Sequence, residues 1–595
     1  MDAVAVRRAE VQRTKAVAPQ GTDRWRLYGL ALGEGWRRLR YCAVSAWRSV
    51  FSLHRFSPDR ILIVPQDLRT ADPTVAGDIY SGYYALAGRV VNTRGSSPFN
   101  EDPPSRAWAE ALYGFGWLRH LRAADSALSR ANARALVDDF FNHASSRHGI
   151  ATKPRVAARR LISLLDHSPL VLDGADRGFY RRFTRTLGRT AVQLQLSVAG
   201  GLRGTDRLIA AVALAYAGLC LNGPSRVLRQ ANRLLTDELN RQVLPDGGHI
   251  SRNPRLVVEL LTDLLPLSQT YAARGAEPPP ALIGAIDRMM PVLRMFRHGE
   301  GSLGLFNGMG VTKPDLIATL LAYDDVRAKA MEHAPHSGYE RLEAGQAVVL
   351  MDVGTPPPAE FSREAHAGCL SFEMSVGAFR LVVNCGAPRP GTGQSAFAAR
   401  STAAHSTVTI GDVSSCHFAG ASSGSSIGWW LGRFIGTPVL SGPRQVPATR
   451  ETLPDGISIK ASHDGYLNRF GVIHERRLDL GGHGDRLEGE DSFISEGPAR
   501  PGETDSTLRF HLHPSVRASR IADGPGIFLV LPNQDCWSFE ADAGELSLEE
   551  SVFFAASDGI RRTTQIVVTI DPGLTRTVRW RFLHLGHRPH SESES

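Results

Sequence analysis

Lysine is almost missing from this 595-residue chain: only Lys15, Lys153, Lys313, Lys329 and Lys460 stand among 68 basic residues. Cysteine is scarce too. Six cysteines in such a length, none in a Cys-x-x-Cys pair, exclude a disulfide scaffold and a structural zinc module. Long apolar runs are absent: the longest, Leu208 to Leu221, is 14 residues, whereas a bilayer span takes roughly 20, so this run reads as a buried helix. Residues 1–24 lack the apolar core of a secretory signal, which sets the expectation of a cytoplasmic or membrane-surface protein. No fixed-period repeat occurs, which disfavours a helical repeat array.

What is present is charge of one sign at one end. The net charge is +8, and residues 1–60 hold twelve basic residues against five acids, leaving the rest nearly neutral. A basic head on a neutral body fits an anionic surface better than a duplex, so no nucleic-acid partner is expected. Residues 25–53 form a basic, Trp-rich helical stretch that Gly33-Glu34-Gly35 should break. Two readings stand: an interfacial helix giving peripheral membrane contact through residues 1–60, or a pair of helices packed on the body with arginines toward water.

Along the chain the pattern predicts three units: the basic segment 1–60, a helical domain over 61–335 and a β domain over 345–590. Helices are predicted at 105–123, 129–147, 153–166, 174–199, 206–221, 224–243, 255–274, 279–296 and 313–324, with Ser105, Asp173 and Thr312 as caps. Beyond about 340, short alternating runs punctuated by Gly, Pro, Asp and Ser predict antiparallel strands, including 369–376, 378–384, 427–434, 469–479 and 507–513. The expected fold class is therefore α then β: a helical bundle or toroid followed by a β-sandwich. A turn at Gly377 would set Cys369 opposite Cys385, as a reduced pair or a disulfide; without an export signal the reduced pair is expected.

Four segments could carry chemistry. In Asp246-Gly-Gly-His-Ile-Ser-Arg-Asn-Pro254, His249 and Arg252 are three apart and could face one side, as substrate contacts or as parts of a structural loop. In Arg400-Ser-Thr-Ala-Ala-His-Ser-Thr407, Arg400 and His405 precede a predicted strand. His463, Tyr466 and His474 could meet at a sheet edge. His511 and His513 alternate onto one strand face, where a carboxylate could complete a metal site. No cofactor is required, though a structural zinc or calcium ion is compatible with that pair.

The order of these segments, Asp-Gly-Gly-His in a helical half and then Ala-Ala-His-Ser-Thr-Val, His-Asp-Gly-Tyr and Arg-Phe-His-Leu-His-Pro in a β half, resembles the heparinase II/III family of polysaccharide lyases over roughly residues 100–585. The resemblance implies an incomplete (α/α) toroid followed by an antiparallel β-sandwich, a cleft between them, and β-elimination on a uronic-acid-containing, anionic polysaccharide. It implies a periplasmic setting as well, unlike the amino-terminal reading. Elimination needs a neutralised carboxylate, a base and a proton donor for the leaving oxygen. The family histidine corresponds to His405. The family tyrosine falls at Leu256-Val257, and the family asparagine falls in a stretch that here reads Ala-Gly-Gly-Leu-Arg-Gly-Thr-Asp-Arg. Tyr466 is the substitute phenol, and Arg203, Arg207 or Arg252 the substitute clamp.

The leading expectation is thus a lyase with His405 and Tyr466 as catalytic residues and His249, Arg252, Arg203, Arg400 and His463 as substrate contacts. The alternative is a catalytically silent glycan-binding protein of polysaccharide assembly. A glycoside hydrolase using Glu259 and Asp263, one helical turn apart, is a third reading; both carboxylates are expected on a solvated face.

Overall fold

A computed structural model describes residues 21–50, 56–144, 149–323, 329–389, 394–420, 426–496, 505–521, 524–570 and 575–587. The basic residues of the first 20 positions lie outside the described residues.

The helical half follows the predicted pattern, with helices at Ala127–Asp139, Pro154–Asp166, Arg177–Ala199, Thr205–Cys220, Ser225–Gln242, Pro254–Arg274, Pro280–Met295 and Pro314–Ala322. The apolar run within Thr205–Cys220 is its hub: nearly every residue from Leu208 to Cys220 is buried, so it needs no polar face. The predicted 105–123 helix is two helices, Arg106–Tyr113 and Leu118–Ala124, because Phe115 takes a left-handed φ of 59° at a Gly-Phe-Gly turn. Ser105 caps as predicted, accepting from the Trp108 amide. Two caps are corrected. Asp176, not Asp173, accepts from the Gly178 and Phe179 amides, and Thr312 accepts from the Leu303 amide instead of capping.

From His333 onward the described residues form two large antiparallel sheets facing each other and a separate two-stranded ladder of His417–Phe418 with Val439–Ser441. One runs, in spatial order, through Glu545–Phe553, Arg561–Ile570, Ser506–Leu512, Phe379–Val383, Phe372–Val376, Ala347–Asp352, Tyr339–Ala344 and His333–Ala334, with Val408–Ile410 also paired to Ser506–Leu512. The other runs through Ala448–Leu453, Gly456–His463, Val472–Gly481, Arg486–Ser495, Thr577–His587, Asp535–Ala541, Ile527–Val530 and Arg517–Arg520. Side chains such as Leu508, Phe510, Trp537 and Trp580 fill the space between the sheets. Gly489 is a glycine because Trp580 lies where its Cβ would be, 2.1 Å from the nearest ring atom. The helical toroid and the antiparallel sandwich are thus both present.

The Phe372–Val376 and Phe379–Val383 hairpin forms around Gly377. Cys369 and Cys385 are both buried and reduced, and the Cys385 sulfur approaches His511 and Ser551 instead of Cys369.

Two sequence expectations are overturned. Residues 427–434, read as a strand from their place among the short apolar runs, belong to a helix, Ser426–Ile435. The Gly33 and Gly35 break does not occur either: Gly21–Val50 is one helix. Two helical glycines cost roughly 1 kcal/mol each. That cost is offset where Glu34 is gripped by Arg37 and Arg38 and where Leu27, Leu30 and Ala31 pack on Ala419, Ile435 and Leu440. The Ser426–Ile435 helix packs alongside, with Arg38 over the Phe434 ring at 4.0 Å.

Candidate functional site

The Asp246–Pro254 segment joins the two halves. Asp246 accepts from the His336 and Ser337 amides at the start of the sandwich and from the Gly248 amide of its own turn. Gly247, at φ 88°, has no room for a side chain, since a Cβ would sit 1.9 Å from the Arg288 carbonyl oxygen. Arg252, also left-handed at φ 60°, donates to the carbonyls of Ser337, Gly338, Gly354 and Thr355 and pairs with Asp352. Its own carbonyl accepts from the Tyr339 hydroxyl. His249 is enclosed beside it, with Nδ1 on the Ser251 hydroxyl and Nε2 on the Gln242 amide oxygen. Burial disfavours its charged form and pulls its pKa to about 3. The polar atoms that the sequence reading aimed at substrate are thus directed at the protein itself, and Arg252 fastens one half of the molecule to the other.

From Arg252 a polar chain runs into the sandwich. Asn307 donates to Asp352 and to the Tyr339 hydroxyl, and its side-chain oxygen accepts the His366 amide. His366 Nδ1 lies 3.0 Å from His405 Nε2, and His405 Nδ1 lies 2.7 Å from the Ser401 carbonyl. That carbonyl can only accept, so His405 Nδ1 carries a proton and Nε2 accepts from His366. Both nitrogens of His405 are engaged, and burial draws its pKa to about 4. His366, Asn307 and Asp352 were missed by sequence reasoning; their link to His405 is long-range pairing that no local spacing displays.

The remaining predicted residues are set apart from that chain. Tyr466 is buried, and its hydroxyl donates to the Val408 carbonyl at 2.8 Å. His463 accepts the Gly465 amide and meets His474, its cross-strand partner; His474 bonds Asp491, which Arg476 holds with a bidentate pair. Arg400 is buried against the carbonyls of Ala365, Ser362 and Thr437, over the Phe418 ring. Arg203 is exposed in the loop before Thr205–Cys220. Arg207 pairs with Glu238.

At the positions of the family tyrosine, Leu256 and Val257 are buried in the Pro254–Arg274 helix. One turn further on, Glu259 bonds Arg155 and Arg159, and Asp263 bonds Arg159 and Arg69. The two carboxylates are therefore not on a solvated face, as the sequence reading had them. Their arginines hold Glu259 far below the ordinary carboxylate range, which removes it as a general acid at neutral pH. The glycine loop at the family asparagine is tight as well: a Cβ on Gly204 would lie 3.0 Å from the Glu360 carbonyl oxygen.

The metal expectation meets committed ligands. His511 uses Nδ1 on the Ser551 hydroxyl and Nε2 on the Ala403 carbonyl, while His513 uses Nδ1 on Ser515 and stacks edge-on against Phe553. Among the described residues no group of three or more His, Cys, Asp or Glu side chains could hold a metal ion. The residues present do not fit a zinc or calcium ion there.

The outer surface is arranged in the opposite way. The Gly21–Val50 helix straps the two halves together: Arg40 reaches the Ala199 carbonyl, Tyr41 packs on Gly200, and Arg26 donates to the Leu440 carbonyl. Asp23 is buried beneath it, 2.9 Å from His417. Opposite that packed side runs a stripe at helical spacing, Trp25, Tyr28, Leu32, Trp36 and Leu39, with Trp25 79% and Trp36 71% exposed. The neighbouring helix adds Ile427, Trp429 and Trp430, all exposed, and Arg433. Among the described residues no helix is long and apolar enough to cross a membrane.

Comparison with known proteins agrees with this architecture. Residues 326–581 match the model of the heparinase II/III-like C-terminal domain. The chain is 31% identical over 538 residues to the FtsZ-localized protein C of Caulobacter vibrioides, covering 88% of this chain and 90% of that one. Its fold matches the crystal structure of heparinase III with a TM-score of 0.68 at 13% identity, over 93% of this chain and 91% of that one. A heparan sulfate lyase mutant from Pedobacter heparinus matches at 0.60 and 13%, over 93% and 89%. With its toroid, its sandwich and its altered site positions, the chain belongs to the heparinase II/III-like family as a divergent member.

Proposed function

We propose that this chain is a catalytically silent heparinase II/III-like protein that docks on an anionic membrane surface, using the lyase fold as a scaffold. The observation that carries the reading is the contrast in commitment of side chains. His405 spends both ring nitrogens inside the protein, the family tyrosine is Leu256, and Tyr466 donates inward to a backbone carbonyl. Base and proton donor are each missing or engaged, and of the three substitute clamps Arg207 and Arg252 are engaged within the protein, leaving Arg203 alone on the surface. An anionic polysaccharide entering beside the Pro254–Arg274 helix would also have to displace Glu259 and Glu364 from their arginines.

Docking is supported by chemistry at the surface. Large apolar groups left in water are unfavourable unless they serve an interface. Here they form one stripe flanked by Arg24, Arg38, Arg40 and Arg433, while the two acids of the helix, Asp23 and Glu34, are already bonded inward or to neighbouring arginines. Tryptophan at the headgroup level with arginine around it is the chemistry of an interfacial helix. The name of the FtsZ-localized relative describes a protein by its location, which suits a docked scaffold.

The test has two arms. Purified protein incubated with a panel of uronate polysaccharides should generate no unsaturated-uronate absorbance, and it should sediment with vesicles containing anionic lipid in a manner that weakens with salt. Unsaturated product lost in His405→Ala would overturn the silent reading. Equal failure to bind neutral and anionic vesicles would overturn the docking reading.

A further inference from the structure

A polar cavity of about 40 Å³, room for roughly three waters, opens where the start of the Gly21–Val50 helix meets the sandwich. Three arginines line it: Arg26 from the helix, Arg444 from the turn before Ala448–Leu453, and Arg469 from the short Leu467–Phe470 helix. Ser414, Ser415 and Asn468 also line it; the Ser414 hydroxyl accepts the Thr402 amide and the Ser415 hydroxyl meets that of Thr402.

Its two carboxylates are already occupied. Asp23 accepts from Ser441 and is bonded by His417, and Asp464 accepts the backbone amides of Arg444 and Gln445. The guanidinium groups are not matched in the same way. Arg26 gives one N–H to the Leu440 carbonyl and helps His417 and Ser441 to hold Asp23 in its charged form, but among the described residues no carboxylate lies within salt-bridge distance of Arg26, Arg444 or Arg469. Arg469 stacks on Phe470, and its Nη1 is shielded from solvent with no hydrogen-bond partner in the protein. Arg26 and Arg444 are exposed and Arg469 is half-buried, so the costly group is the shielded Nη1 of Arg469, and an acceptor with negative charge and several oxygens would satisfy it together with its two neighbours. The cavity's size suits one tetrahedral oxyanion, and arginine forks are donors that phosphate takes.

Position supplies the source. Arg26 is the immediate neighbour of Trp25 on the strap helix, at one edge of the stripe that ends in Leu39. A helix lying in the headgroup region would hold its aromatic rings at the boundary and the cavity mouth at the level of the phosphates.

We propose that this cavity is a phosphate-binding pocket and that the phosphate it takes belongs to an anionic phospholipid headgroup. This rests on the docking reading for its source but not for its chemistry, and the experiment separates the two. The variant is Arg444→Gln with Arg469→Gln in the full chain. The charge-matched control is Arg24→Gln with Arg433→Gln, on the docking face but outside the cavity. Inorganic phosphate should raise the melting temperature of the wild type and the control but not of the pocket variant.

On phosphatidylcholine vesicles containing phosphatidylglycerol, each control arginine should cost about fivefold in affinity through the surface potential alone. The pocket variant should lose at least about tenfold more than the control. If phosphate shifts wild type and pocket variant alike, the pocket is overturned whatever the vesicles do. A pocket variant that loses the phosphate response yet matches the control on vesicles overturns the lipid source in favour of free phosphate. Stabilisation by an oligouronate and not by phosphate overturns the phosphate assignment in favour of a glycan carboxylate. Should the wild type bind no vesicle at all, the docking reading fails with the lipid source, while the phosphate arm still decides the pocket.

Discussion

The centre of the molecule and its amino-terminal strap use polar and apolar groups in opposite ways. Around Arg252, Asp352, His366 and His405 every named polar atom has an internal partner, and the segment that most resembles an active-site motif holds the toroid to the sandwich. Along Gly21–Val50 and Ser426–Ile435, tryptophans and leucines stand in water and arginines surround them. In the family to which the chain belongs, resemblance implies chemistry at the first place. The comparison teaches that side chains within a motif can be committed to holding the architecture together. On the proposed reading, the working surface lies on an element outside the motif.

Acid should break the first region most strongly. Burial draws His249 and His511 to about 3 and His405 to about 4, below the ordinary 6.5. The unfolded chain therefore binds more protons than the native one between about pH 6.5 and 4. Stability from these rings is fully present above pH 6.5 and is lost as the pH falls, by about 1.4 kcal/mol per unit for each histidine. Thermal melts from pH 7.5 to 4.5 should show a steep drop below pH 6.5. A flat profile would mean that the rings are not enclosed.

Next in size is the fastening. Arg252→Ala should destabilise by about 3–5 kcal/mol, because it strands Asp352 in the interior and frees four carbonyls. Urea denaturation measures this, and a loss below 1 kcal/mol would remove Arg252 from its structural role. The strap gives the converse result: Trp25→Ala with Trp36→Ala should weaken vesicle binding by about tenfold or more while moving stability by about 0.5 kcal/mol or less. Co-sedimentation alongside melting separates the two effects. The smallest change is expected at Tyr466→Phe, which removes one inward hydroxyl bond: about 1 kcal/mol in stability and no change in vesicle binding.

Much of the fold was legible in the chain. Helical periodicity from Ala127 to Ala322 and alternation beyond Tyr339 are local patterns, and so is the Ser105 cap. The errors came where context outweighed pattern. Ile427–Phe434 is rich in strand-favouring aromatics, yet a helix forms because it packs along another helix. Gly33 and Gly35 read as breakers, yet Glu34 and the packed side of the strap hold the helix through them. The stripe at positions 25, 28, 32, 36 and 39 could have been found from its spacing. Whether it faced the body or the solvent could not, since an amphipathic helix satisfies either arrangement.

The sequence by itself determined the two halves, their order, the family likeness and the absence of the tyrosine and asparagine from the family positions. Each of these rests on residue type, or on neighbours within a few positions. Only the tertiary structure decided what His249, Arg252, His405 and Tyr466 do. Their partners, Gln242, Asp352, His366 and Val408, come from as far as 100 residues away along the chain, and whether a polar side chain meets substrate or backbone depends on what folding brings against it.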